Sequence, residues 1–300
     1  MTESGNTPAA AVSTRPVVAR TRGELARGLA ALRAEGKSVA LVPTMGALHA
    51  GHRALVARAI GLADAVVVSV FVNPLQFAPG EDLASYPRTW DADLAALTAD
   101  GAALVFAPTP TVMYPDQPRV TVHAGPMGEV LEGAHRPGHF DGVLTVVAKL
   151  FNLVRPDVAV FGEKDAQQLA LIRRMVSDLD LPVHVVGVPT VREPDGLALS
   201  SRNAYLDPDA RIAAAHISAA LFGARAAAPK GPLAVTAVAR AGMYGKKEFD
   251  VDYVTLVDPS TFEEVAEGFE GTALLATAVR IGSTRLIDNV PVELPGRPPR

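Results

Sequence analysis

The sequence predicts an α/β fold in which a mostly parallel, doubly wound sheet is followed by a second, smaller α+β domain. In the first part, short apolar runs rich in β-branched residues alternate with segments whose apolar side chains recur at helical spacing. Such runs are typical of buried strands, and this alternation indicates parallel strands joined by helices. After about Val191 the order changes to two helical segments and then three strand-like runs, which favours a separate small sheet.

The first predicted helix follows Thr21, where Thr21 and Glu24 have the spacing of a capping box, and it stops at Gly36. The predicted strands of the sheet are Val39–Pro43, Ala65–Val72, Ala103–Ala107, Val158–Gly162 and Val183–Val188. The helices between them are Gly51–Ala63, Thr89–Asp100, Gly142–Val154 and Asp165–Leu179. Since ligands of doubly wound sheets bind beyond the carboxyl ends of the strands, we expect the site residues there.

We predict a first domain over residues 17–190 and a second over residues 191–293. In the second, Asp207 and Pro208 are suited to a helix start, and an alanine-rich helix runs to about Ala227, before a turn and another helix. Its strand-like runs are Val251–Val257, Ala273–Val279 and Leu286–Val292. We expect residues 1–16 to form a disordered tail and residues 294–300, which contain three prolines, to form a loose one.

Composition excludes several classes of protein. The 300 residues are 49% hydrophobic, which is enough for a substantial core. The formal net charge is −4 and no long basic run is present, which argues against nucleic acid as a partner. The absence of cysteine excludes disulfides and cysteine-ligated metals. Because the apolar runs are short and the first residues lack a signal-peptide pattern, we expect a cytoplasmic protein without a membrane partner.

The most informative segment is PTMGALHAGH, in which His49 and His52 lie where the first strand of the predicted sheet turns into a helix. The positive end of the helix dipole favours anions there, and Gly46 and Gly51 allow a tight turn and close approach of backbone to ligand. Imidazole can donate to phosphate oxygens as charge builds on a leaving pyrophosphate. The segment predicts a triphosphate site. The alternative is two ordinary histidines at a helix start, one of them capping it.

Two further segments carry charged or hydroxyl side chains, one after a predicted strand and one just past the predicted domain boundary. In the first, Lys164 offers a cation for phosphate, Asp165 can accept hydrogen bonds from ribose hydroxyls, and Gln168 can point into the same cleft. In the second, Leu199–Arg202, two hydroxyls and a guanidinium suit phosphate oxygens. The alternatives are a helix capped by Asp165 with a solvated lysine, and an ordinary polar loop.

Two other segments are less specific. Gln76, between apolar residues at a strand end, can fix a hydroxyl or carboxylate in an apolar pocket, or else faces water in a surface turn. The loop Glu132–Phe140 contains two histidines but no tight ligand set, so no metal site made of side chains is predicted. The sequence also lacks a hydrolase elbow, a Walker loop and a Rossmann glycine fingerprint.

Eight segments between Val39 and Asn289 resemble, in order, those of the pantoate–β-alanine ligase family of the HxGH nucleotidyltransferase superfamily. They are PTMGALHAGH, FVNPLQF, YPRT, EGAHRPGHFDGV, FGEKDAQQL, VPTVRE, LALSSRN and GSTRLIDN. The resemblance implies a Rossmann-like first domain, a small carboxyl-terminal lid domain and a homodimer. It also implies ATP-dependent ligation of (R)-pantoate and β-alanine to pantothenate through a pantoyl-adenylate, with release of AMP and pyrophosphate. ATP would be a substrate, and Mg²⁺ would be held mainly by its phosphates.

Residue by residue, the resemblance implies that His52 is a proton donor and that His49, Lys164 and Arg202 share the catalytic site. It implies nucleotide contacts at Met45, Gly46, Ala47, Leu48, His49, Ala50, Gly51, His52, Gly162, Glu163, Lys164, Asp165, Val191, Leu199, Ser200, Ser201 and Arg202. It implies substrate contacts at Gln76 and Gln168.

Four positions depart from the family pattern. Ala50 is usually acidic, an aromatic residue is expected where Ala166 stands, a basic or small residue is often found in place of Asp141, and Ala92 lies where some relatives have a fuller acidic run. We expect part of the cleft at Ala166 to be roomier unless Phe77 or Phe140 fills it; alternatively, this residue faces solvent or a dimer partner. Two other functions remain open. One is an enzyme of the same architecture that uses another acid and amine or transfers AMP to a phosphorylated cofactor; the other is a non-catalytic ATP-binding or assembly protein.

Overall fold

The computed structural model describes residues 15–296, and these contain a six-stranded and a three-stranded sheet. The larger sheet is parallel throughout, in the order β1-β4-β3-β2-β5-β6. Its strands are β1 (Val17–Ala19), β2 (Val39–Thr44), β3 (Ala65–Val70), β4 (Leu104–Phe106), β5 (Val158–Gly162) and β6 (His184–Val188). The smaller sheet is an antiparallel meander of β7 (Asp250–Val257), β8 (Gly271–Ile281) and β9 (Thr284–Leu294).

Helices cover both faces of the larger sheet. The helices are α1 (Arg22–Ala34), α2 (Ala50–Ile60), α3 (Trp90–Asp100), α4 (Pro110–Met113), α5 (Glu132–His135), α6 (His139–Val154), α7 (Ala166–Asp178), α8 (Pro208–Arg225) and α9 (Pro232–Tyr244). Alternate residues of β2 face opposite sides: Val39 and Leu41 join the core with α1, α6 and α7, whereas Ala40 and Val42 join the core with α2 and α3. The predicted doubly wound α/β sheet is therefore confirmed.

The smaller sheet buries one face beneath α8 and α9, which supply residues such as Ile217, Leu221, Val235 and Met243 to a second core. We call residues 15–188, built on the larger sheet, the first lobe, and residues 206–296, built on the smaller sheet, the second lobe. The second lobe confirms the predicted smaller α+β unit. The domain boundary near residue 190 stays a prediction.

The order of the strands determines where a ligand can enter. The chain passes from β2 to β3 on one side, while β5 lies on the other side of β2. The crevice at such a switch point, beyond the carboxyl ends of the strands, is the usual binding place in this class of sheet. The loops that follow β2 and β5 lie at this point, and they carry His49, His52 and Lys164.

The structure differs from the prediction at several boundaries. The three-residue strand β1 and the short helices α4 and α5 were not predicted, because segments of this length carry no periodicity. The helix predicted from Gly142 begins at His139. Pro16 is buried and Leu294 ends β9 with 3% exposure, so neither belongs to a loose tail. The remaining tail predictions, for residues 1–14 and 297–300, lie outside the described residues.

No helix within residues 15–296 has the length and apolar character needed to cross a bilayer.

Candidate active site at the ends of β2 and β5

The loop after β2 is held in a fixed shape by a carboxylate from α3. Gly46 and Ala47 adopt positive φ values of 85° and 51°, which turn the chain sharply before α2. The buried Asp93 carboxylate accepts hydrogen bonds from the backbone N–H groups of Ala47 (3.0 Å) and Leu48 (2.8 Å). The sequence does not distinguish Asp93, because an acidic residue in the first turn of a helix is ordinarily a favourable partner of the helix dipole.

His49 and His52 cap α2 together. The Nδ1 atom of His49 accepts from Gly51 N–H at 3.1 Å, and the Nδ1 atom of His52 accepts from His49 N–H at 3.3 Å. Their ring centroids are 4.1 Å apart. A neutral imidazole that accepts at Nδ1 carries its proton on Nε2, so each ring keeps one N–H donor. The capping alternative and the ligand-binding prediction are therefore compatible, since the cap uses one nitrogen of each ring.

Both imidazoles are neutral at pH 7. Burial lowers the pKa of His52 from 6.5 to about 3, with His49 acting in the same direction. Burial and then the Lys164 charge lower the pKa of His49 to about 4. These rings therefore face a ligand as neutral hydrogen-bond donors.

The loops after β5 and before α8 complete one side of the site. The Lys164 side chain has no hydrogen-bond or ion-pair partner within residues 15–296, and Asp165 beside it is exposed. Ser201 Oγ donates to the Ala47 carbonyl at 3.2 Å, which joins the Leu199–Arg202 loop to the loop after β2. The Arg202 guanidinium donates to both oxygens of Asp82, at 3.0 and 2.9 Å.

The opposite side of the site is built around Gln76. Its side chain accepts from Asn73 Nδ2 at 3.0 Å and donates to Met45 Sδ at 3.4 Å. Its backbone carbonyl accepts from His139 Nδ1 at 2.8 Å, and the other ring nitrogen of His139 faces Arg136 Nη1 at 3.0 Å. Burial lowers the pKa of His139 to about 4. The sequence alone assigns this histidine no role, because its partner is 63 residues away.

One pocket of about 240 Å³ gathers most of the predicted residues. Its lining includes Met45, His49, Gly51, His52, Gln76, Gly162, Lys164, Asp165, Gln168, Val191, Leu199, Ser200, Ser201 and Arg202. Gly46, Ala47, Leu48, Ala50 and Glu163 do not line it. The first three belong to the loop held by Asp93, the fourth is exposed at the start of α2, and the Glu163 side chain lies against Gly187 of β6.

A larger cavity of about 860 Å³ lies between the lobes and shares Arg136, His139, Lys164, Asp165, Gln168, Ser200 and Arg202 with the smaller pocket. Ala166 lines this cavity and packs against an apolar cluster that contains Phe262 of the second lobe. Ala166 therefore does not line the pocket that contains Gln76, and Phe140 and Phe262 line the larger cavity together with it. Within residues 15–296, no group of three or more His, Asp or Glu side chains is arranged to hold a metal ion.

The neutral histidines predict a loss of stability in mild acid. Below pH 6.5 the unfolded chain binds protons at His52 and His139, whereas the folded chain does not until about pH 3 and 4, respectively. The free energy of unfolding should therefore fall as the pH drops from about 6.5 to 4.5, by up to about 1.4 kcal/mol per pH unit for each histidine. Urea unfolding at several pH values measures this slope. His139→Asn should reduce the dependence of the unfolding free energy on pH. The exposed-site control His216→Asn should not, and equal slopes in the two variants would contradict the prediction.

Comparison with known proteins places this geometry in one family. Residues 17–291 match the family model described as pantoate-beta-alanine ligase. Pantothenate synthetase from Thermobifida fusca is 57% identical over 289 residues, which are 93% of this chain and 96% of the relative. Pantothenate synthetase from Mycolicibacterium smegmatis is 56% identical over 88% of this chain and 83% of the relative.

Two crystal structures agree with these matches. Pantothenate synthetase from Thermus thermophilus has a TM-score of 0.86 and 48% identity, over 93% of this chain and 99% of that one. Pantoate–β-alanine ligase from Francisella tularensis, complexed with β,γ-ATP and β-alanine, has a TM-score of 0.75 and 30% identity, over 92% of this chain and 97% of that one. The chain therefore belongs to the pantoate–β-alanine ligase family.

Proposed function

We propose that this chain joins (R)-pantoate to β-alanine with ATP and forms pantothenate through a pantoyl-adenylate, releasing AMP and pyrophosphate. The observation that carries the proposal is that two neutral, helix-capping histidines, Lys164 and the Ser200–Arg202 loop line the same pocket as Gln76 and Gln168. Family membership supports the reaction, and the Francisella tularensis relative has been crystallised with ATP and β-alanine.

In this proposal the nucleotide lies along the ends of β2 and β5. The first turn of α2 presents its positive dipole end and the histidine Nε2–H donors to phosphate oxygens. Lys164 and Arg202 add charge, and the exposed Asp165 carboxylate accepts from ribose hydroxyls. Arg202 donates to Asp82, so binding of phosphate by its guanidinium would compete with that carboxylate.

Pantoate is assigned to the wall around Gln76. That wall combines the amides of Gln76 and Gln168 with apolar side chains from α6, including Val143, Val147 and Leu150. Amides suit the hydroxyl and carboxylate groups of pantoate, and the apolar surface suits its two methyl groups. Since Asn73 and His139 fix the side chain and carbonyl of Gln76 respectively, this wall is pre-organised before substrate enters.

The chemistry follows from the poor acylating power of a carboxylate. An oxygen of the pantoate carboxylate forms a bond to the α-phosphorus, the bond from that phosphorus to the bridging oxygen breaks, and the electron pair leaves on pyrophosphate. The neutral imidazoles, Lys164 and Arg202 are donors aimed at this developing charge, which is how such groups lower a barrier. The free amine of β-alanine then attacks the mixed anhydride, and AMP leaves.

We also propose that Mg²⁺ accompanies ATP and is held mainly by its phosphates. Mg²⁺ in nucleotide sites usually keeps several waters and is bound largely by substrate phosphates, and since Asp165 is assigned to the ribose, the phosphates and waters would supply its ligands here. When bound, the ion offsets phosphate charge. The resemblance further supports a cytoplasmic homodimer. Analytical ultracentrifugation of the full chain would measure the mass of the assembly and so test the dimer.

The reaction should occur in two separable steps. With ATP, Mg²⁺ and pantoate alone, the amount of pyrophosphate released should be close to the amount of enzyme sites. The chain has no cysteine to accept the acyl group, so the adenylate should stay bound and each site should react once. Release should continue only after β-alanine is added. ¹⁸O from labelled pantoate carboxylate should enter AMP.

Products of ADP and phosphate would contradict the adenylate route. A burst with another hydroxy acid but not with pantoate would instead favour a ligase of the same fold with a different substrate pair.

A further inference from the structure

Two arginines lie directly opposite each other on neighbouring strands of the second lobe. Arg280 on β8 is the register partner of Arg285 on β9, and both line the cavity between the lobes. Like charges in directly opposed positions of an antiparallel pair destabilise a sheet. The pair therefore needs anions on this face.

Arg285 has its anions within the protein. It donates to both oxygens of Glu132, at 2.6 and 2.7 Å, and to Asp252 at 2.6 Å. The Arg280 side chain has no hydrogen bond within residues 15–296. In the same range, no carboxylate is close enough to form an ion pair with the Arg280 guanidinium, although Asp250 lies opposite it on β7.

The other cationic side chains that line the cavity are also divided into those with a carboxylate partner and those without one. Arg136 is held by Glu81 and Arg202 by Asp82. In the described part of the chain, Lys164 and Arg280 are the two cations of the cavity lining without a carboxylate partner. One comes from each lobe, so an anion between the lobes would meet both.

The strand register relates Arg280 to the loop that carries Lys164. Asn289, on the same face of β9 as Arg285, donates to the carbonyls of Glu163 and Lys164 at 3.0 and 2.8 Å. Asn289 is opposite Ala276, four residues before Arg280, so Arg280 lies about 13 Å further along β8. Both side chains are long and flexible, and together they can reach across much of this gap.

The volumes agree with this placement. The pocket of about 240 Å³ is smaller than the roughly 300–1,000 Å³ that single small ligands occupy. ATP together with a second substrate must therefore extend into the adjoining cavity, which begins at Lys164 and Arg202. The end of ATP that projects there would face β8.

We propose that Arg280 binds the β- and γ-phosphates of ATP from the second lobe and retains the pyrophosphate that leaves. This inference rests on the proposed function. As the α-phosphorus bond to the bridging oxygen breaks, the electron pair moves onto pyrophosphate, and Arg280 and Lys164 offset that charge from opposite sides. The anion also relieves the repulsion between Arg280 and Arg285.

The test is Arg280→Gln, with Lys247→Gln as the matched control. Lys247 is an exposed cation of the same lobe that lies outside the cavity lining, so the control makes the same charge change. Arg280→Gln should slow adenylate formation and weaken inhibition by inorganic pyrophosphate, each by about 10²-fold, and Arg280→Lys should restore part of both. The reaction of preformed pantoyl-adenylate with β-alanine should keep its rate, and the melting temperature without ligand should not fall.

Wild-type pyrophosphate inhibition and adenylation rates in Arg280→Gln would overturn this inference and leave the proposed function intact. Loss of the β-alanine step together with a lower melting temperature would also overturn it, because that pattern is structural. If the wild-type protein releases no pyrophosphate from ATP and pantoate, the proposed function fails. Calorimetric binding of inorganic pyrophosphate, weakened by Arg280→Gln but not by Lys247→Gln, would still establish the anion site.

Discussion

Replacing His52 or Lys164 by alanine is expected to slow adenylate formation by about 10²–10³-fold, the usual cost of removing one donor aimed at developing charge. His52 provides an Nε2–H donor because its Nδ1 atom is used by the cap of α2. Lys164 is a cation without a partner among the described residues, so its charge is available to a ligand. Pyrophosphate release in a single turnover, measured with ATP and pantoate, reports the step directly.

Two further variants separate the two nitrogens of His52. His52→Asn places an acceptor near the Nδ1 position and should preserve the cap while remaining slow. His52→Gln places an amide near the Nε2 position and should recover part of the rate at some cost in stability, since losing a cap costs about 1 kcal/mol. Near-wild-type adenylation by a folded His52→Asn or Lys164→Ala protein would show that the phosphate-site assignment is wrong.

Replacing Glu132 by alanine is expected to cost up to about 3–5 kcal/mol of stability, because it leaves the partly buried Arg285 guanidinium with Asp252 as its remaining carboxylate partner. Glu132 is 7% exposed and accepts from Arg285 and from the Tyr253 hydroxyl at 2.9 Å. Burial alone would raise the pKa of Glu132, but the hydrogen bonds and charge of Arg285 outweigh it and hold the pKa below its usual value. The same contacts join α5 of the first lobe to β7 and β9 of the second, so the lobes should unfold less cooperatively in the variant.

Urea unfolding followed by near-ultraviolet circular dichroism measures both the loss and the cooperativity. The matched control is Arg174→Ala, which removes an exposed i,i+4 ion pair with Asp178 and should cost at most about 0.5 kcal/mol. A double variant, Glu132→Leu with Arg285→Leu, should cost less than the sum of the single changes. A loss in Glu132→Ala no larger than that of the control would contradict this account.

The sequence predicted the position of candidate site residues best where these residues directly follow a strand. The residues after β2 and β5 were predicted because a buried apolar run followed by a helix start fixes their place at the sheet edge. The two interpretations of His49 and His52 could not be separated in sequence, since capping and ligand binding use the same helix start. The structure shows the histidines capping α2 through Nδ1 while lining the pocket.

Residues that support the site were harder to predict. Asp82 and Asp93 lie in acidic stretches that look like solvated surface, yet one binds Arg202 across 120 positions and the other fixes the loop at Ala47 and Leu48. The sequence could not tell that Ala166 packs against an apolar cluster of the second lobe while lining the larger cavity, and the expected roomier cleft at this residue stays a prediction. These outcomes depend on which distant elements pack together.

The sequence by itself determined the class of both sheets, most of their elements and the segments that line the candidate site, because hydrophobic periodicity and helix starts are local properties. Only the tertiary structure decided which charges are neutralised within the protein and which remain for a ligand. Glu132 and Arg285 are 153 positions apart in the sequence. Arg285 differs from its register partner Arg280 because the fold brings carboxylates within hydrogen-bond distance of Arg285 but not of Arg280. A charge keeps or loses its affinity for a ligand according to its neighbours in space, and those neighbours are set by packing between the lobes.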